Sequence, residues 1–241
     1  MPRSTVAIVV AAGEGKRMAT TREKQYLPLA GVPVLLHTLR VFEKSESIDG
    51  IIVVVGSEQE RMWQDLISDR GELSKILAVV HGGKERQDSV VQGLQAVPPE
   101  CQIVVIHDGV RPLITPDLLA EVVESGWQYG AAVAAVPVQD TVKEVSAGMV
   151  ARTLERSSVW LAQTPQAFAA ALIRRAHREA GRRAVRATDD AALVERLGVP
   201  VHIVHGSVEN IKITRPIDLA LAEAILAARN KPCAAAGSVD P

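Results

Sequence analysis

The chain has 241 residues, of which 47% are hydrophobic and 23% charged, a composition typical of a folded globular protein rather than a disordered one. Its 27 lysines and arginines nearly balance 28 aspartates and glutamates. The resulting net charge of −1 argues against a protein whose main role is to coat nucleic acid or an anionic membrane. Only 3% of the residues are aromatic, too few for a surface on which single-stranded bases stack.

Cysteine use and the first residues of the chain bear on its compartment. Cys101 and Cys233 are too few for a disulfide framework and lack metal-ligand spacing, so two free thiols are expected. The first residues lead into an apolar run without the layout of a signal peptide, and no apolar stretch approaches the roughly 20 residues that cross a bilayer. We therefore expect a cytoplasmic protein with no membrane or nucleic-acid partner.

Short apolar runs alternate with segments of helical spacing along most of the chain. The apolar runs are rich in β-branched residues, which favours strands buried on both faces, and they span 6–12, 51–55, 76–80, 103–106, 131–138 and 201–204. Helical patterns cover 34–42, 90–97, a segment that opens at Thr115-Pro116-Asp117, 167–180 and 216–228. The alternation predicts a three-layer α/β domain, with helices on both faces of a mostly parallel central sheet.

One segment breaks this alternation. Residues 141–156 read as strand, turn at Ser146-Ala147-Gly148 and strand, with charges on both arms, which predicts a projecting β-hairpin at about 139–157. A two-stranded hairpin is marginally stable alone in water, so we expect this arm to pack on a second subunit of a homodimer. Residues 1–228 are expected to form a single domain, and the small, polar residues 229–241 a disordered tail.

The first candidate site follows the first predicted strand. Ala11-Ala12-Gly13-Glu14-Gly15-Lys16-Arg17 is a glycine-rich loop whose backbone N–H groups suit a phosphate. It matches neither the Walker pattern nor the dinucleotide fingerprint, whose third glycine is replaced by Met18. The cations of Arg17 and Lys24 favour a triphosphate site over the alternative of a tight strand-to-helix turn.

Two further clusters follow later strands. Gly82, Gly83 and Ser89 offer backbone and hydroxyl donors where a helix begins, although an ordinary capped turn explains them equally well. Asp108 and Arg111 come directly after the fourth strand, where open α/β sheets bind ligands. They suit a hydroxyl, metal or phosphate, and a buried structural ion pair is the alternative.

Eight motifs in order make the chain resemble the 2-C-methyl-D-erythritol 4-phosphate cytidylyltransferase family of the non-mevalonate isoprenoid pathway, up to about residue 228. They are Ala11-Ala12-Gly13-x-Gly15-x-Arg17-Met18, Lys24-Gln25-Tyr26, Gly82-Gly83-x-x-Arg86-x-x-Ser89-Val90, His107-Asp108-x-x-Arg111-Pro112, Asp140-Thr141, Gln163-Thr164-Pro165-Gln166, Thr188-Asp189-Asp190-Ala191 and Asn210-Ile211-Lys212-Ile213-Thr214-Arg215-Pro216. The resemblance implies a Rossmann-like nucleotidyltransferase fold. It also implies a reaction in which methylerythritol 4-phosphate attacks the α-phosphate of CTP and pyrophosphate leaves.

The resemblance also implies a role for each matching residue. Arg17 and Lys24 would stabilise the transition state, and Arg156 and Lys212 would hold the attacking phosphate. Arg156 and Thr141 would reach in from the partner subunit. Nucleotide contacts are implied for Ala11, Ala12, Gly13, Gly15, Gly83, Ser89 and Asp108, and acceptor contacts for Asp108, Arg111, Thr141, Arg156, Thr164 and Lys212. Mg²⁺, or another divalent cation, would be carried mainly by the CTP phosphates rather than by protein ligands.

The chemistry of the residues agrees with this assignment. Two polyanions must approach each other, so aimed cations help more than a general base, and a phosphate needs no proton removed at pH 7. Lys212 lies in Ile211-Lys212-Ile213, an alternating pattern that by itself predicts a strand with one solvated face. Beside the other motifs, the catalytic interpretation of Lys212 is preferred.

The chain departs from the commonest family pattern at three places. Lys84 stands where an acidic residue is frequent, Glu23 stands where proline is common, and Gly109-Val110 replaces a pair of alanines. The first change bears on recognition of the cytosine base. The other two bear on the rigidity of Lys24 and of the acceptor loop.

Three alternatives remain from the sequence. The acceptor is another polyol phosphate such as ribitol 5-phosphate; or the chain binds nucleotide without turnover; or it is a nicotinamide-dependent dehydrogenase. The retained cations argue against a mere binding module. Met18, and Gly56-Ser57 at the end of the second strand where an acid would be needed, argue against a dehydrogenase.

Overall fold

The computed structural model describes residues 3–13, 23–57, 63 and 73–230. The first half contains β1 (Thr5–Val10), β2 (Pro28–Leu29), β3 (Val32–Pro33), α1 (Val34–Lys44), β4 (Gly50–Val55), β5 (Ile76–His81), α2 (Arg86–Ala96) and β6 (Ile103–Asp108). The second half contains α3 (Pro116–Tyr129), β7 (Ala131–Pro137), β8 (Lys143–Ser146), β9 (Met149–Thr153), β10 (Trp160–Ala169), α4 (Ala170–Arg182), α5 (Asp190–Glu195), β11 (His202–His205) and α6 (Pro216–Arg229). Short 3₁₀ turns lie at Lys24–Tyr26 and Arg156–Ser158.

Seven strands form the central sheet, in the order β11-β7-β10-β6-β1-β4-β5. All neighbours are parallel except that β10 runs antiparallel to both β6 and β7. Every residue of β4 and β6 is buried, because both faces of the sheet are covered, and this explains their unbroken apolar character. The predicted mostly parallel α/β fold is confirmed.

Two apolar clusters fill the space on either side of the sheet. One packs Leu35, Leu39 and Phe42 of α1 and Leu119 and Val122 of α3 against one face. The other packs residues of α2, α4 and α5 on the opposite face, among them Val90, Leu94, Ile173 and Leu193. Helix α3 begins as expected, since Thr115 caps its N-terminus by accepting from the Leu118 amide and Pro116 occupies the first turn. The central sheet and the helices on its two faces therefore form the three predicted layers.

Strand β10 is absent from the sequence-based prediction, which wrongly placed the start of a helix at residue 167. The helix begins at Ala170, and residues 167–169 belong to the strand. The segment carries Gln163, Thr164 and Gln166, so it lacks the continuous β-branched pattern of the other strands. These polar side chains are nevertheless buried and hydrogen-bonded, and their partners come from residues distant in sequence.

The predicted hairpin is present as β8 and β9, whose residues are all exposed. Its turn places Ala147 and Gly148 at positive φ, 50° and 80°, as the turns that close two-residue hairpins require. Apolar Val145, Met149 and Val150 lie among the exposed residues of this arm.

Near the carboxyl terminus, Arg229 still belongs to α6 rather than to the expected tail. Cys101 is a buried free thiol, whereas Cys233 and residues 231–241 lie outside the described residues. None of the helices that the structure describes has the length and apolar character needed to cross a membrane.

Candidate active site

A cavity of about 590 Å³ opens at the carboxyl ends of β1, β5 and β6. Its walls come from the loop after β1, the 3₁₀ turn, the start of α2, the end of β6 and the segment before α6. The lining residues are Val10, Ala11, Ala12, Gly13, Lys24, Gln25, Gly83, Lys84, Glu85, Arg86, Ser89, Asp108, Val110, Lys212 and Thr214. Most of the predicted site residues that the structure describes therefore meet in one place.

Hydrogen bonds to the backbone of Ala11 hold the loop after β1 at the floor of the cavity. The Ala11 amide donates to the Val54 carbonyl at 2.7 Å, and Gln25 Nε2 donates to the Ala11 carbonyl, also at 2.7 Å. Among the described residues, none apart from the chain neighbours of Gly13 places an atom within 4 Å of the position that a Cβ would take there, so these residues leave space for a ligand. Gly15 and Arg17, which complete the predicted phosphate loop, lie outside the described residues.

Lys24 reaches the cavity from the 3₁₀ turn Lys24–Tyr26. Gln25 next to it is buried and donates to the Glu23 carboxylate at 3.1 Å as well as to Ala11. This bridge ties the Lys24 turn to the loop after β1. It restrains the backbone at the position where proline is common in the family.

The second glycine-rich loop closes on its own helix. The Gly83 amide donates to Ser89 Oγ at 3.2 Å, and Ser89 Oγ donates to the Glu85 carbonyl at 3.1 Å. Glu85 and Asp88 form a capping box at the start of α2. The ordinary capped turn is therefore present, and it also places Gly83 and Ser89 on the cavity wall, so the two interpretations of this motif are compatible. Lys84 lies exposed on the same wall.

Asp108 is a buried carboxylate surrounded by cations. Its Oδ1 accepts from Arg86 Nε at 2.9 Å, while Oδ2 lies 2.8 Å from Lys212 Nζ and 3.7 Å from Arg111 Nε. Burial alone would raise the pKa of Asp108, but the three cations outweigh it and hold the pKa far below its usual range. The Asp108 carboxylate is thus ionised at neutral pH, and it is the anchor around which three cations gather.

Arg111 and Thr164, which were predicted to contact the acceptor substrate, lie behind Asp108 and are not among the residues that line the cavity. Thr164 Oγ1 accepts from the Asp108 amide at 3.1 Å, and Arg111 Nη1 donates to the Asn210 carbonyl at 2.7 Å. Fully buried Asn210 in turn donates to the Thr164 carbonyl at 2.8 Å. This network joins β10 to the segment that carries Lys212.

Lys212 enters the cavity from irregular backbone, so the predicted strand at 211–213 is wrong. The Ile213 amide donates to the Val110 carbonyl at 2.9 Å, and Ile213 is buried below the segment. Asn210 and Ile213, which are anchored on either side of Lys212, therefore direct it toward Asp108 without a strand ladder.

Thr141 and Arg156 do not line the cavity of their own chain. Both lie exposed at the base of the arm, where Arg156 Nη1 donates to the Gln139 carbonyl at 3.0 Å. Their predicted placement in a partner's site stays a prediction.

Sequence reasoning assigned no role to Arg86, Gln25, Thr214 or Asn210. All four lie within motifs that carried the resemblance, and that membership was the only available signal. Arg86 and Asn210 bond to residues that are remote along the chain, so nothing local in the sequence indicates those contacts.

Comparison with known proteins places the chain in a family. The model of the family described as IspD, 2-C-methyl-D-erythritol 4-phosphate cytidylyltransferase, matches residues 5–228. Proteins of that name from Pelotomaculum thermopropionicum and Syntrophus aciditrophicus are 51% and 50% identical; the matches cover 96% and 94% of this chain and 98% and 97% of theirs.

Solved structures agree with the sequence relatives. The crystal structure of 4-diphosphocytidyl-2C-methyl-D-erythritol synthase from Anaerococcus prevotii superposes with a TM-score of 0.84 at 33% identity, covering 93% of this chain and 96% of that one. The cytidylyltransferase of Thermus thermophilus gives a TM-score of 0.74 at 34% identity, with coverage of 92% and 98%. The chain belongs to the 2-C-methyl-D-erythritol 4-phosphate cytidylyltransferase family.

Proposed function

We propose that the chain transfers the cytidylyl group of CTP to 2-C-methyl-D-erythritol 4-phosphate, giving 4-diphosphocytidyl-2-C-methyl-D-erythritol and pyrophosphate. One observation carries the proposal: a single cavity combines the backbone loop at residues 11–13 and Lys24 with Lys212 beside Asp108, and Arg111 lies behind that carboxylate. Family membership names the two substrates that such a cavity would take.

The two ends of the cavity suit the two anions. The CTP phosphates would lie over residues 11–13, with Lys24, and the nucleoside toward Gly83 and Ser89. Lys212 would hold the acceptor phosphate in line with the α-phosphorus. An acceptor oxygen then forms a bond to phosphorus, the bond to the bridging oxygen breaks, and pyrophosphate leaves with the electron pair. Lys24, with Arg17, would neutralise the charge that develops.

We propose that the divalent cation, Mg²⁺ in the simplest case, arrives on the CTP phosphates. Both Asp108 oxygens already face cations, so this carboxylate fits a metal ligand poorly. Within the described ranges, no group of three His, Cys, Asp or Glu side chains is placed to hold an ion. When bound, the cation would supply charge neutralisation to the triphosphate.

The same proposal includes a homodimer built through the arm. Exposed Val145, Met149 and Val150 on the arm, together with Trp160 and Leu161 at its base, present apolar surface that a second subunit would cover. Arg156 and Thr141 would then enter the partner's cavity on its acceptor side. Because CTP is a metabolite of the cytoplasm, the proposal also places the enzyme there.

Pyrophosphate release tests the proposal directly. The purified protein is incubated with Mg²⁺, methylerythritol 4-phosphate and either CTP, ATP, GTP or UTP. We expect release with CTP alone, which would also mean that Lys84 does not disturb cytosine recognition. Release only with ribitol 5-phosphate would overturn the assigned acceptor. If the folded protein released no pyrophosphate with any nucleotide and either acceptor, the proposed activity itself would be overturned.

A further inference from the structure

A series of hydrogen-bonded polar side chains, mostly buried, runs from the cavity into the layer of helices α4 and α5. Arg86 bridges two carboxylates: its Nε donates to Asp108 Oδ1 at 2.9 Å, and its Nη1 donates to Asp190 Oδ2 at 2.7 Å. His177 Nε2 completes the chain by donating to Asp190 Oδ1 at 2.9 Å. Since the Asp190 carboxylate accepts this bond, the Nε2 atom of His177 carries the proton. We call these four residues the buried charge chain.

Only two of the four residues in the buried charge chain line the cavity. Arg86 and Asp108 line the cavity, whereas the side chains of Asp190 and His177 are 1% and 4% exposed and belong to the packed helices. Burial alone would raise the pKa of Asp190, but Arg86 and the His177 hydrogen bond outweigh it and hold the pKa below its usual range. A buried, ionised carboxylate without access to the cavity therefore fixes the guanidinium of Arg86.

The arrangement of donors on Asp108 suggests what this fixation achieves. Arg86 donates to Oδ1 and Lys212 Nζ lies 2.8 Å from Oδ2, whereas Arg111 Nε, 3.7 Å from Oδ2, is beyond hydrogen-bond distance. When Lys212 turns toward an acceptor phosphate, Arg86 is the partner that stays with Asp108. A buried carboxylate is costly without a partner, so Lys212 is easier to release while Arg86 remains in place.

We propose that Asp190 and His177 are positioning residues for acceptor binding: by holding Arg86 on Asp108, they let Lys212 exchange Asp108 Oδ2 for the acceptor phosphate. The kinetic form of this inference rests on the proposed function. Neither residue touches a substrate, and both act through Arg86.

Kinetic constants for each substrate separate positioning from a merely structural role. Asp190→Asn keeps the side-chain volume but replaces the carboxylate that faces Arg86 with a neutral amide. We expect the KM for methylerythritol phosphate to rise between about tenfold and a hundredfold. The KM for CTP should change by less than about twofold, because Asp190 bonds to Arg86 and His177 and, within the described part of the loop after β1, residues 11–13 make no hydrogen bond to it. His177→Leu should act in the same direction, and His177→Gln, whose amide can donate to Asp190, should restore most of the wild-type constants.

Arg174 supplies a matched control on the same helix. Its guanidinium donates to the Leu94 and Val97 carbonyls at the end of α2, rather than to a member of the buried charge chain. Arg174→Leu should lower the unfolding temperature without changing the KM for the acceptor. An unchanged acceptor KM in Asp190→Asn, an equal rise in both KM values, or the same acceptor effect in Arg174→Leu would overturn the proposal.

A second measurement keeps the inference separate from the proposed function. If wild-type protein shows no turnover, the proposed function fails, and calorimetric binding of inorganic phosphate then decides the inference. We expect phosphate to bind Asp190→Asn about tenfold more weakly than wild type. Equal binding by the two proteins, or equal weakening in Arg174→Leu, would overturn the positioning role.

Discussion

At the scale of single residues, the cavity keeps its cations close to one carboxylate without burying all of them. The side chain of Lys212 is 34% exposed although it lies 2.8 Å from Asp108, so it can leave that carboxylate for a phosphate. Arg111 and Arg86 are more deeply buried. Lys212 is therefore the member of the group best placed to follow a substrate during the reaction.

Replacing Lys212 by alanine should lower kcat for the cytidylyl transfer by at least about a hundredfold. The physical reason is the loss of one aimed cation, which costs roughly 3–4 kcal/mol of transition-state stabilisation. Pyrophosphate release measures the rate, and far-ultraviolet circular dichroism checks the fold. Lys44→Ala, on the exposed end of α1, is the control. A near-native rate for Lys212→Ala would contradict its assigned role.

The burial of His107 leads us to expect a loss of folding stability in mild acid. It is completely buried beside Asp108, and this burial lowers its pKa to about 3. In the unfolded chain its pKa is about 6.5, so between roughly pH 6.5 and 3 the unfolded state binds a proton that the folded state does not. Stability therefore falls as the pH falls through this window, by about 2 kcal/mol between pH 7 and pH 5.

Urea unfolding at pH 7 and pH 5 checks this dependence. His107→Gln carries no titrating ring, so its loss of stability over the same interval should be smaller by about 2 kcal/mol. His202→Gln, on an exposed residue of β11, should keep the wild-type dependence. The same pH dependence in wild type and His107→Gln would refute the assignment to His107.

At the scale of elements, close approach between helices and sheet decides where glycine is required. Helix α2 crosses β1 at Gly93, where an added Cβ would lie 2.5 Å from Ile8 Cγ2. At Gly181 in α4, no neighbour in the described part of the chain lies within 4 Å of that position. Two helical glycines in one chain therefore have opposite surroundings, although the sequence alone does not distinguish them.

Gly93→Ala should destabilise the protein by about 1–2 kcal/mol, because overpacking against Ile8 outweighs the better helix propensity of alanine. Gly181→Ala should instead stabilise by about 0.5 kcal/mol, since only the propensity changes there. Midpoints of urea unfolding compare both variants with wild type. Stabilisation by Gly93→Ala would show that α2 shifts freely on the sheet.

At the scale of the whole molecule, the arm separates Arg156 and Thr141 from the cavity that the rest of the chain builds. β8 and β9 leave the sheet between β7 and β10, and their residues are exposed throughout. In the proposed dimer, each cavity would combine Lys24 and Lys212 of one subunit with Arg156 of the other.

Mixing two inactive variants tests this shared site. In a heterodimer of Arg156→Ala and Lys24→Ala subunits, one cavity has both residues intact and the other has neither. Random exchange in an equal mixture should therefore restore about a quarter of the wild-type activity. Pyrophosphate release is measured after native mass spectrometry has confirmed subunit exchange. No recovery after exchange would refute the shared site, and unmixed proteins serve as controls.

The sequence by itself determined the class of the fold, the family and most residues of the cavity. Continuous β-branched runs such as 51–55 and 103–106 predict strands buried on both faces, because only a sheet covered on two sides needs them. The hairpin was equally readable, since its turn at Ala147-Gly148 is a local signal. The eight ordered motifs brought Lys24, Asp108 and Lys212 into one hypothesis.

Only the tertiary structure decided three other features. β10 is a strand because it fits between β6 and β7, where its buried glutamines find partners, although its sequence lacks a strand pattern. Lys212 enters the cavity from irregular backbone, although its neighbours alternate like a strand. Arg86 meets Asp190, 104 residues further along the chain. Local patterns record which backbone conformations and buried faces a segment favours, whereas contacts between distant segments depend on how the whole chain packs.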